Sequence, residues 1–231
     1  TGTTGNQVQR TVGHGLSKAP EMVMIRNREW NSSNIGWPTW HKSLGNSLVY
    51  LDATAGSVPS DYPAHFGQQP NATTFGVRYD LSIEASTNAY RANGPYNYVA
   101  YCFHSVEGFS KFGKYTGNGS IDGPFTITGF RPAFVIIKSI SAGDHWTMFD
   151  SARNQWNGND DLIMYPNLTN GDSGDGMSVN FHSNGFKIVD STSNRYNANG
   201  NNYIYMAFAE YPFKYSNARM TSYDKITEAP A

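Results

Sequence analysis

Short apolar segments alternate with polar, glycine-rich segments along the whole chain of 231 residues. Apolar and polar residues alternate over residues 186–189, directly after Asn184 and Gly185, which is typical of a half-buried strand entered through a hairpin turn. Gly, Pro or Asn interrupts nearly every window longer than about ten residues, which argues against long helices. The pattern therefore predicts short strands joined by tight polar turns.

The same blocks of sequence occur twice in the same order. The aligned blocks are residues 19–26 with 131–138, residues 37–40 with 146–149, and residues 98–103 with 203–208. The offset between the copies shrinks from 114 residues at Gly15 and Gly129 to 105 residues at the last block. Small loop deletions in a duplicated unit would produce such a drift. We also expect Gly15 and Gly129 to form turns.

Strands with one apolar face must bury that face against a second sheet, so the predicted fold is all-β. We expect two tandem homologous halves that form β-sandwich units, lectin-like or jelly-roll-like, related by pseudo-symmetry. The predicted boundaries are 1–114 for the first repeat, 115–219 for the second and 220–231 for a C-terminal tail. The sequence leaves open whether each half is its own sandwich or whether the two halves share one.

Charge and composition narrow the range of partners. The chain has 17 Lys and Arg against 18 Asp and Glu, a net charge of -1, so we expect no nucleic-acid partner. No apolar stretch approaches the roughly 20 residues of a membrane helix, and no basic-then-apolar leader is present, so we expect no membrane insertion. The chain begins at Thr1, which indicates processing or one segment of a longer polypeptide. Cys102, the single cysteine, is expected to be a small buried hydrophobe.

No motif for catalysis, metal binding or cofactor binding stands out. Residues 171–174, Gly-Asp-Ser-Gly, match the nucleophile loop of chymotrypsin-like proteases superficially, but no His or Asp partner is evident and such a loop is ordinary turn chemistry. The six histidines lack zinc-site spacing, and the acidic residues 160–161, 172 and 175 fit no EF-hand loop. Glu21 and Glu84 are candidate acids for glycoside hydrolysis, but nothing pairs them. We expect no enzyme activity, no metal and no cofactor.

The repeat separates framework from candidate function, because residues that persist in both copies are needed to build the fold. The framework pairs are Trp37 with Trp146, Trp40 with Phe149, Phe103 with Phe208, and Cys102 with Ala207. Aromatic and polar residues found in one copy can contact a sugar or a protein partner. The candidate ligand-binding residues are Trp30, His41, Tyr62, His65, Arg153 and Trp156. The alternative for each is ordinary core or loop packing.

The aligned sequence resembles a repeated module of tail-fibre-like and other structural proteins of tailed bacteriophages, especially those from aquatic bacteria. The motifs that carry the resemblance are residues 13–16 with 19–22, 98–103, 106–113, 115–119, 123–125, 129–134, and 205–214 with 218–219. They span nearly the whole chain. Residues 59–63 and 76–79 differ from the polar loop sequences that are usual in this module. The resemblance implies a place in a virion and carries over no catalytic residue.

The leading functional hypothesis is a virion surface protein, a tail fibre or tail-associated adhesion domain that contacts host surface polysaccharide. We expect other virion proteins as partners, and a homo-oligomer. The first alternative is a purely architectural component, such as a capsid decoration or a connector. The second alternative is a depolymerase that acts on host glycan.

Overall fold

The structure is a computed structural model that describes residues 7–28, 36–57, 66, 68–80, 97–153, 157, 162–171, 173–174, 178–189 and 194–211. Within these residues the regular structure is almost entirely strand, so the predicted all-β class is confirmed. One 3-10 turn, Lys42–Leu44, follows the third strand. No helix in this part of the chain is long and apolar enough to cross a membrane.

Fifteen strands are described. They are β1 Gln7–Gly13, β2 Met22–Asn27, β3 Pro38–His41, β4 Val49–Tyr50, β5 Thr74–Asp80, β6 Tyr98–Phe103, β7 Ser110–Thr116, β8 Phe125–Ile127, β9 Pro132–Ser139, β10 Thr147–Asp150, β11 Leu162–Ile163, β12 Ser173–Gly174, β13 Ser178–His182, β14 Gly185–Val189 and β15 Asn202–Ala209. Two four-stranded antiparallel sheets have the orders β4-β3-β2-β6 and β10-β9-β15-β7. The remaining sheets have the orders β1-β5, β13-β14-β8 and β11-β12.

Aligned residues of the two copies occupy matching positions in the sheets. The pairs at one such position are Val23 with Trp40 and Cys102 in the first four-stranded sheet, and Val135 with Phe149 and Ala207 in the second. The smaller sheets contain a further aligned pair, Val12 and Thr126. Val12 pairs with Phe75 in β1-β5, and Thr126 pairs with Phe186 in β8-β14. The predicted pseudo-symmetry of the halves stays a prediction, as do the boundaries; β7 crosses the boundary predicted after residue 114.

Each four-stranded sheet packs one face against a smaller sheet. Val23, Ile25 and Trp40 face the β1-β5 sheet and form a core with Phe75 and Val77. The second core follows the same plan between the β10-β9-β15-β7 and β13-β14-β8 sheets. Its members on the strands of these sheets are Tyr115, Val135, Ile137, Phe149, Val179, Phe181, Phe186, Ile188, Tyr203, Tyr205 and Ala207. Sandwich-like packing therefore occurs within each half.

A third core joins the opposite faces of the two four-stranded sheets. Successive side chains of a strand point to opposite faces. Met22 and Met24, which alternate with Val23 and Ile25, therefore pack toward Ile136 and the rest of the second sheet. The other buried members of this core are Leu44, Val49, Phe112, Trp146, Ile204 and Met206. The main sheets thus stack in four layers, and neither of the two arrangements left open by the sequence describes the fold completely.

Polar side chains fasten the two central sheets to each other. The Trp146 indole Nε1 donates a hydrogen bond to the Tyr50 carbonyl oxygen at 2.8 Å. The Lys138 ammonium donates to the carbonyl oxygens of Thr54, at 2.8 Å, and of Asp144. Burial lowers the pKa of Lys138 to about 8, although the charge of Asp144 opposes this shift. Hydrogen bonds to carbonyl oxygens compensate for taking the ammonium out of water.

Two sequence features of the turns are confirmed in the structure. Gly15 and Gly129 both have positive φ, 68° and 89°, a conformation that favours glycine. The predicted hairpin joins β13 to β14, but its two turn residues are Ser183 and Asn184, and Gly185 already pairs with His182. Gly185 is required for a different reason, because a Cβ there would collide with the carbonyl oxygen of Thr126 on β8.

The aligned residues Trp37 and Trp146 allow a matched test of the third core. Trp146 is buried, and its indole N–H donates to the Tyr50 carbonyl oxygen in the first four-stranded sheet. Trp37 is half-buried. We expect Trp146→Ala to lower the free energy of unfolding by about 3–5 kcal/mol and Trp37→Ala to lower it by about 1–2 kcal/mol. Urea unfolding followed by circular dichroism would measure both. Equal losses would contradict the assignment of Trp146 to a core shared by the halves.

Candidate functional site

The six candidate residues from the sequence fall into two groups. Trp30, Tyr62, His65 and Trp156 lie outside the residues that the structure describes. His41 and Arg153 are described, and they lie on different four-stranded sheets, His41 at the end of β3 and Arg153 just after β10. A ligand-binding role for these six residues stays a prediction.

His41 is fully buried and caps the 3-10 turn that follows β3. Its Nδ1 accepts a hydrogen bond from the backbone N–H of Ser43 at 3.1 Å. Its Nε2 has no hydrogen-bond partner in the described structure. Burial is the main cause that lowers the pKa of His41 to about 3; the charge of Lys42 adds to this shift, and the charge of Glu21 opposes it. The neutral imidazole thus organises the turn, and a surface ligand could reach it only after local opening.

Arg153 lies on the surface in the turn after β10. Its Nε donates to Oδ2 of Asp150 at 2.7 Å, and Oδ1 of the same carboxylate accepts hydrogen bonds from the backbone N–H groups of Ala152 and Arg153. Exposed ion pairs contribute little to stability, so the pair mainly orients the guanidinium.

The carboxylate of Glu21 is already fully engaged. It lies 2.9 Å from the Lys42 ammonium and accepts from both the backbone N–H, at 3.0 Å, and the hydroxyl of Ser105. Burial raises its pKa, but the hydrogen bonds from Ser105 and Lys42 and the charge of Lys42 outweigh that effect, so the pKa is lowered. A carboxylic acid that acts as a general acid needs a raised pKa. Glu84, the other candidate acid, lies outside the described residues.

A groove of about 610 Å³ lies beside β6, between the first four-stranded sheet and the β1-β5 sheet. We call it the β6 groove. Its lining residues are Val12, Gly13, His14, Ile25, Phe75, Val77, Tyr98, Ala100, Tyr101, Cys102 and Phe103. His14 supplies a polar ring to this otherwise largely apolar lining, and its Nε2 is 3.1 Å from the carbonyl oxygen of Asn71. Burial raises the pKa of the Cys102 thiol to about 11, so this side chain stays neutral.

An aromatic and charged patch lies on the other face of β6. The rings of Trp37 and Tyr101 stack with their centroids 6.2 Å apart, and the Arg26 guanidinium lies 5.5 Å from the Trp37 ring centroid. Asp52 accepts a hydrogen bond from the backbone N–H of Trp37 at 2.8 Å and lies 3.9 Å from Arg26. Tyr101 is 45% exposed. We call these four residues the Trp37–Tyr101 patch.

Sequence reasoning missed this patch, because it assigned Trp37 to the framework together with Trp146. The two tryptophans do occupy aligned positions, but Trp146 is buried in the third core, whereas Trp37 is only half-buried. One signal was available. Tyr101 aligns with Met206, so the first copy places an aromatic ring where the second has an aliphatic side chain.

Comparison with known proteins gives one match. The model of a family described as a domain of unknown function, DUF7483, matches residues 2–212. The chain belongs to this family. No curated protein and no solved structure matches it. The matched residues include the β6 groove and the Trp37–Tyr101 patch, so both features lie within the family's domain.

Metal ligation has no structural support in this part of the DUF7483 domain. Among the described residues, no group of three or more His, Cys, Asp or Glu side chains could hold a metal ion.

The pKa of His41 predicts a specific loss of stability in acid. The folded value near 3 lies below the ordinary value of 6.5, so between these two pH values the unfolded chain binds a proton that the folded protein does not. The free energy of unfolding should therefore fall with decreasing pH, by up to about 1.4 kcal/mol per pH unit from this group. His41→Asn, which keeps an acceptor for the Ser43 N–H, should weaken this dependence in urea titrations from pH 7.5 to pH 4. An unchanged slope would contradict the placement of a buried neutral imidazole.

Proposed function

We propose that this chain is a surface protein of a tailed-bacteriophage virion, a tail fibre or tail-associated adhesion domain that contacts host surface polysaccharide. The resemblance to phage structural modules supports the virion part of the proposal. The motifs that carry it coincide with β6, β7, β9 and β15, which build the two central sheets. The resemblance therefore rests on the framework, and the specific contact must come from residues exposed on that framework.

The observation that carries the glycan contact is the exposed ring of Tyr101 backed by Trp37. A sugar ring can stack on an aromatic face, and a ring that is already held in place loses little side-chain entropy on binding. Arg26 and Asp52 lie beside the stack and supply a donor and an acceptor for hydroxyl groups. The patch thus combines an aromatic surface with a hydrogen-bond donor and a hydrogen-bond acceptor.

A purely architectural role is the second candidate, and the β6 groove favours it. The groove is largely apolar and borders the outermost strand of a sheet, which suits a polypeptide partner better than a hydrophilic glycan. Other virion proteins and further copies of the chain in a homo-oligomer are the partners that this role requires.

Polysaccharide binding tests the adhesion role. The 231-residue protein, also presented as a multimer, should bind saturably to host cells and to their extracted polysaccharide. We expect Tyr101→Ala to weaken binding by about two- to tenfold, since a stacking contact contributes roughly 0.5–1.5 kcal/mol. Tyr211→Ala is the matched control, because Tyr211 is also exposed but lies beyond β15. A combined Trp30→Ala, Tyr62→Ala and Trp156→Ala variant tests the candidates from the sequence.

The outcomes separate the proposed roles. Binding lost in the combined variant but kept in Tyr101→Ala would move the contact to the sequence candidates and overturn the Trp37–Tyr101 patch. No binding by the folded protein in either form would favour the architectural role. Release of reducing ends from the polysaccharide would show that the protein is a depolymerase.

The location in the particle is a separate prediction. If the chain is a tail fibre or tail-associated domain, mass spectrometry of purified particles separated into heads and tails should find it in the tail fraction. Its presence in heads alone would overturn the adhesion proposal and leave a capsid role.

A further inference from the structure

We propose that Asn170 is a site of spontaneous covalent modification, where the folded chain converts the side-chain amide to a carboxylate ahead of the other Asn–Gly pairs that the structure describes. The inference rests on backbone hydrogen bonds and exposure, and it does not depend on the proposed phage function. The second reacting residue is Gly171, the first residue of the Gly-Asp-Ser-Gly run, for which the sequence offered no role beyond a turn.

The reaction needs only the two residues and water. The backbone nitrogen of Gly171 attacks Cγ of Asn170 and loses its proton, an N–Cγ bond forms, and the side-chain nitrogen leaves as ammonia. Water then opens the resulting five-membered succinimide at one of its two carbonyl carbons. Opening at Cγ gives aspartate, and opening at the backbone carbonyl gives isoaspartate, whose main chain runs through Cγ. Glycine favours the attack because it has no Cβ to crowd the nitrogen.

The sequence alone does not single out Asn170. It contains six Asn–Gly pairs, and the pairs that begin at Asn93 and Asn157 extend outside the described residues. Both residues are described in the four pairs that begin at Asn118, Asn170, Asn184 and Asn199. The two reacting residues are the same in all four, so a difference in rate should come from the folded structure. The main structural variable is whether the glycine nitrogen is held in a hydrogen bond.

Two of the four glycine nitrogens are held in tight turns. The Gly119 N–H donates to the Asn197 carbonyl oxygen at 2.9 Å, and the Gly200 N–H donates to the Gly117 carbonyl oxygen at 3.0 Å. Each nitrogen is therefore directed at an acceptor and away from the side chain of the preceding asparagine. The reaction at these two pairs requires the hydrogen bond to open first.

A third glycine nitrogen, that of Gly185, is held within a sheet. The Ile188 N–H donates to the Pro124 carbonyl oxygen on the side of β8. Hydrogen bonds of successive residues in a strand alternate in direction, so the Gly185 N–H is directed to the other side, toward its partner His182 on β13. Gly185 is also tightly packed, because a Cβ there would collide with the Thr126 carbonyl oxygen. This pair should be the best protected of the four.

The Asn170–Gly171 pair has none of these restraints. Both residues are exposed, and within the described part of the chain neither takes part in a hydrogen bond through its backbone or side chain. The preceding turn is closed by the Leu168 N–H, which donates to the Tyr165 carbonyl oxygen at 3.0 Å, and β12 begins only at Ser173. Apart from its chain neighbours, no described atom lies within 4 Å of the position that a Cβ of Gly171 would take. The attacking nitrogen therefore has open space around it.

Hydrogen bonding sets the expected difference in rate. A bonded glycine nitrogen reacts only from the fraction of molecules in which the bond is open, and a bond of ordinary net strength lowers that fraction by about two- to tenfold. We therefore expect Asn170 to react about two- to tenfold faster than Asn118 and Asn199 in the folded protein, with Asn184 the slowest.

Either product changes the surface at this point of the chain. The formal net charge goes from -1 to -2, and residues 170–176 then carry three carboxylates in place of two. Isoaspartate also adds one methylene group to the main chain shortly before β12, whose ladder with β11 has only two residue pairs. Because the reaction needs no enzyme, the modified form should accumulate as the protein ages.

Peptide mapping of the full 231-residue protein tests the inference. The folded protein is incubated at mildly alkaline pH, which favours loss of the proton from the attacking nitrogen. Samples are digested, and chromatography with mass spectrometry measures aspartate and isoaspartate at each of the four pairs. The same chain unfolded in guanidinium chloride is the reference, because all four glycine nitrogens are then free of the fold. We expect the four rates to converge there, and circular dichroism checks both states.

Two variants control for the chemistry at this site. Gly171→Ala adds a Cβ that crowds the attacking nitrogen but meets no described atom beyond its chain neighbours, so the protein should fold and Asn170 should lose its lead. Asn170→Ser removes the reacting amide, so its peptide should gain no isoaspartate. The other three pairs should react at wild-type rates in both variants.

Three outcomes would overturn the inference. The first is conversion at Asn118, Asn184 or Asn199 that is as fast as conversion at Asn170 in the folded protein. The second is an equally large lead of Asn170 in the unfolded chain, because that lead would come from local sequence and not from the fold. The third is an unreactive Asn170 in the folded protein under conditions in which the unfolded chain reacts at all four pairs.

Discussion

Face-to-face packing of the two four-stranded sheets imposes the main constraint on this chain. The central strands β2, β9 and β15 must be apolar on both faces, because one face packs inside its own half and the other packs against the opposite half. Burial of apolar area from both faces is the main favourable contribution to folding here. It also explains why these strands read as nearly continuous apolar runs instead of the clean alternation of a one-sided sheet.

The central packing also explains where charged and polar side chains are buried. Lys138 is fully buried and donates to the Thr54 carbonyl oxygen from the first half, so a charged group tolerates burial through hydrogen bonds that cross between the halves. Glu21 and Lys42 form an ion pair near the start of β2, and Ser105 links that pair to the backbone N–H of Phe112 on β7. For the buried Lys138, loss of a hydrogen-bond partner would cost more than the bond itself contributes, whereas the partly exposed Glu21–Lys42 pair contributes less.

The sequence was sufficient to predict the all-β class and strands in the aligned segments. It was insufficient to predict the burial and the role of individual residues such as Trp37 and His41. The aligned apolar segments 98–103 and 203–208 were each predicted to be a closing strand, and they correspond to β6 and β15. The sequence could not distinguish Trp37 from Trp146, since the burial of each depends on how far the opposite sheet extends over it. The role of His41 was equally hidden, because a histidine that caps a buried turn and one that contacts a ligand look the same in sequence.

The aligned segments of the two predicted halves take similar places in the sheets, so functional differences between the halves should lie where aligned residues differ in size or in exposure. Tyr205 fills the space beside β15 with its own ring, and β7 then needs a glycine at residue 113 to approach it. Ala100 leaves the corresponding space beside β6 open. Tyr101 and Trp37 form an exposed stack on the opposite face of the same strand, where the second copy has the buried Met206 and Trp146. Within the described residues, β6 thus differs from its aligned strand β15 on both faces, in the side chains at Ala100 and Tyr101, and a partner specific for the first half could recognise these differences.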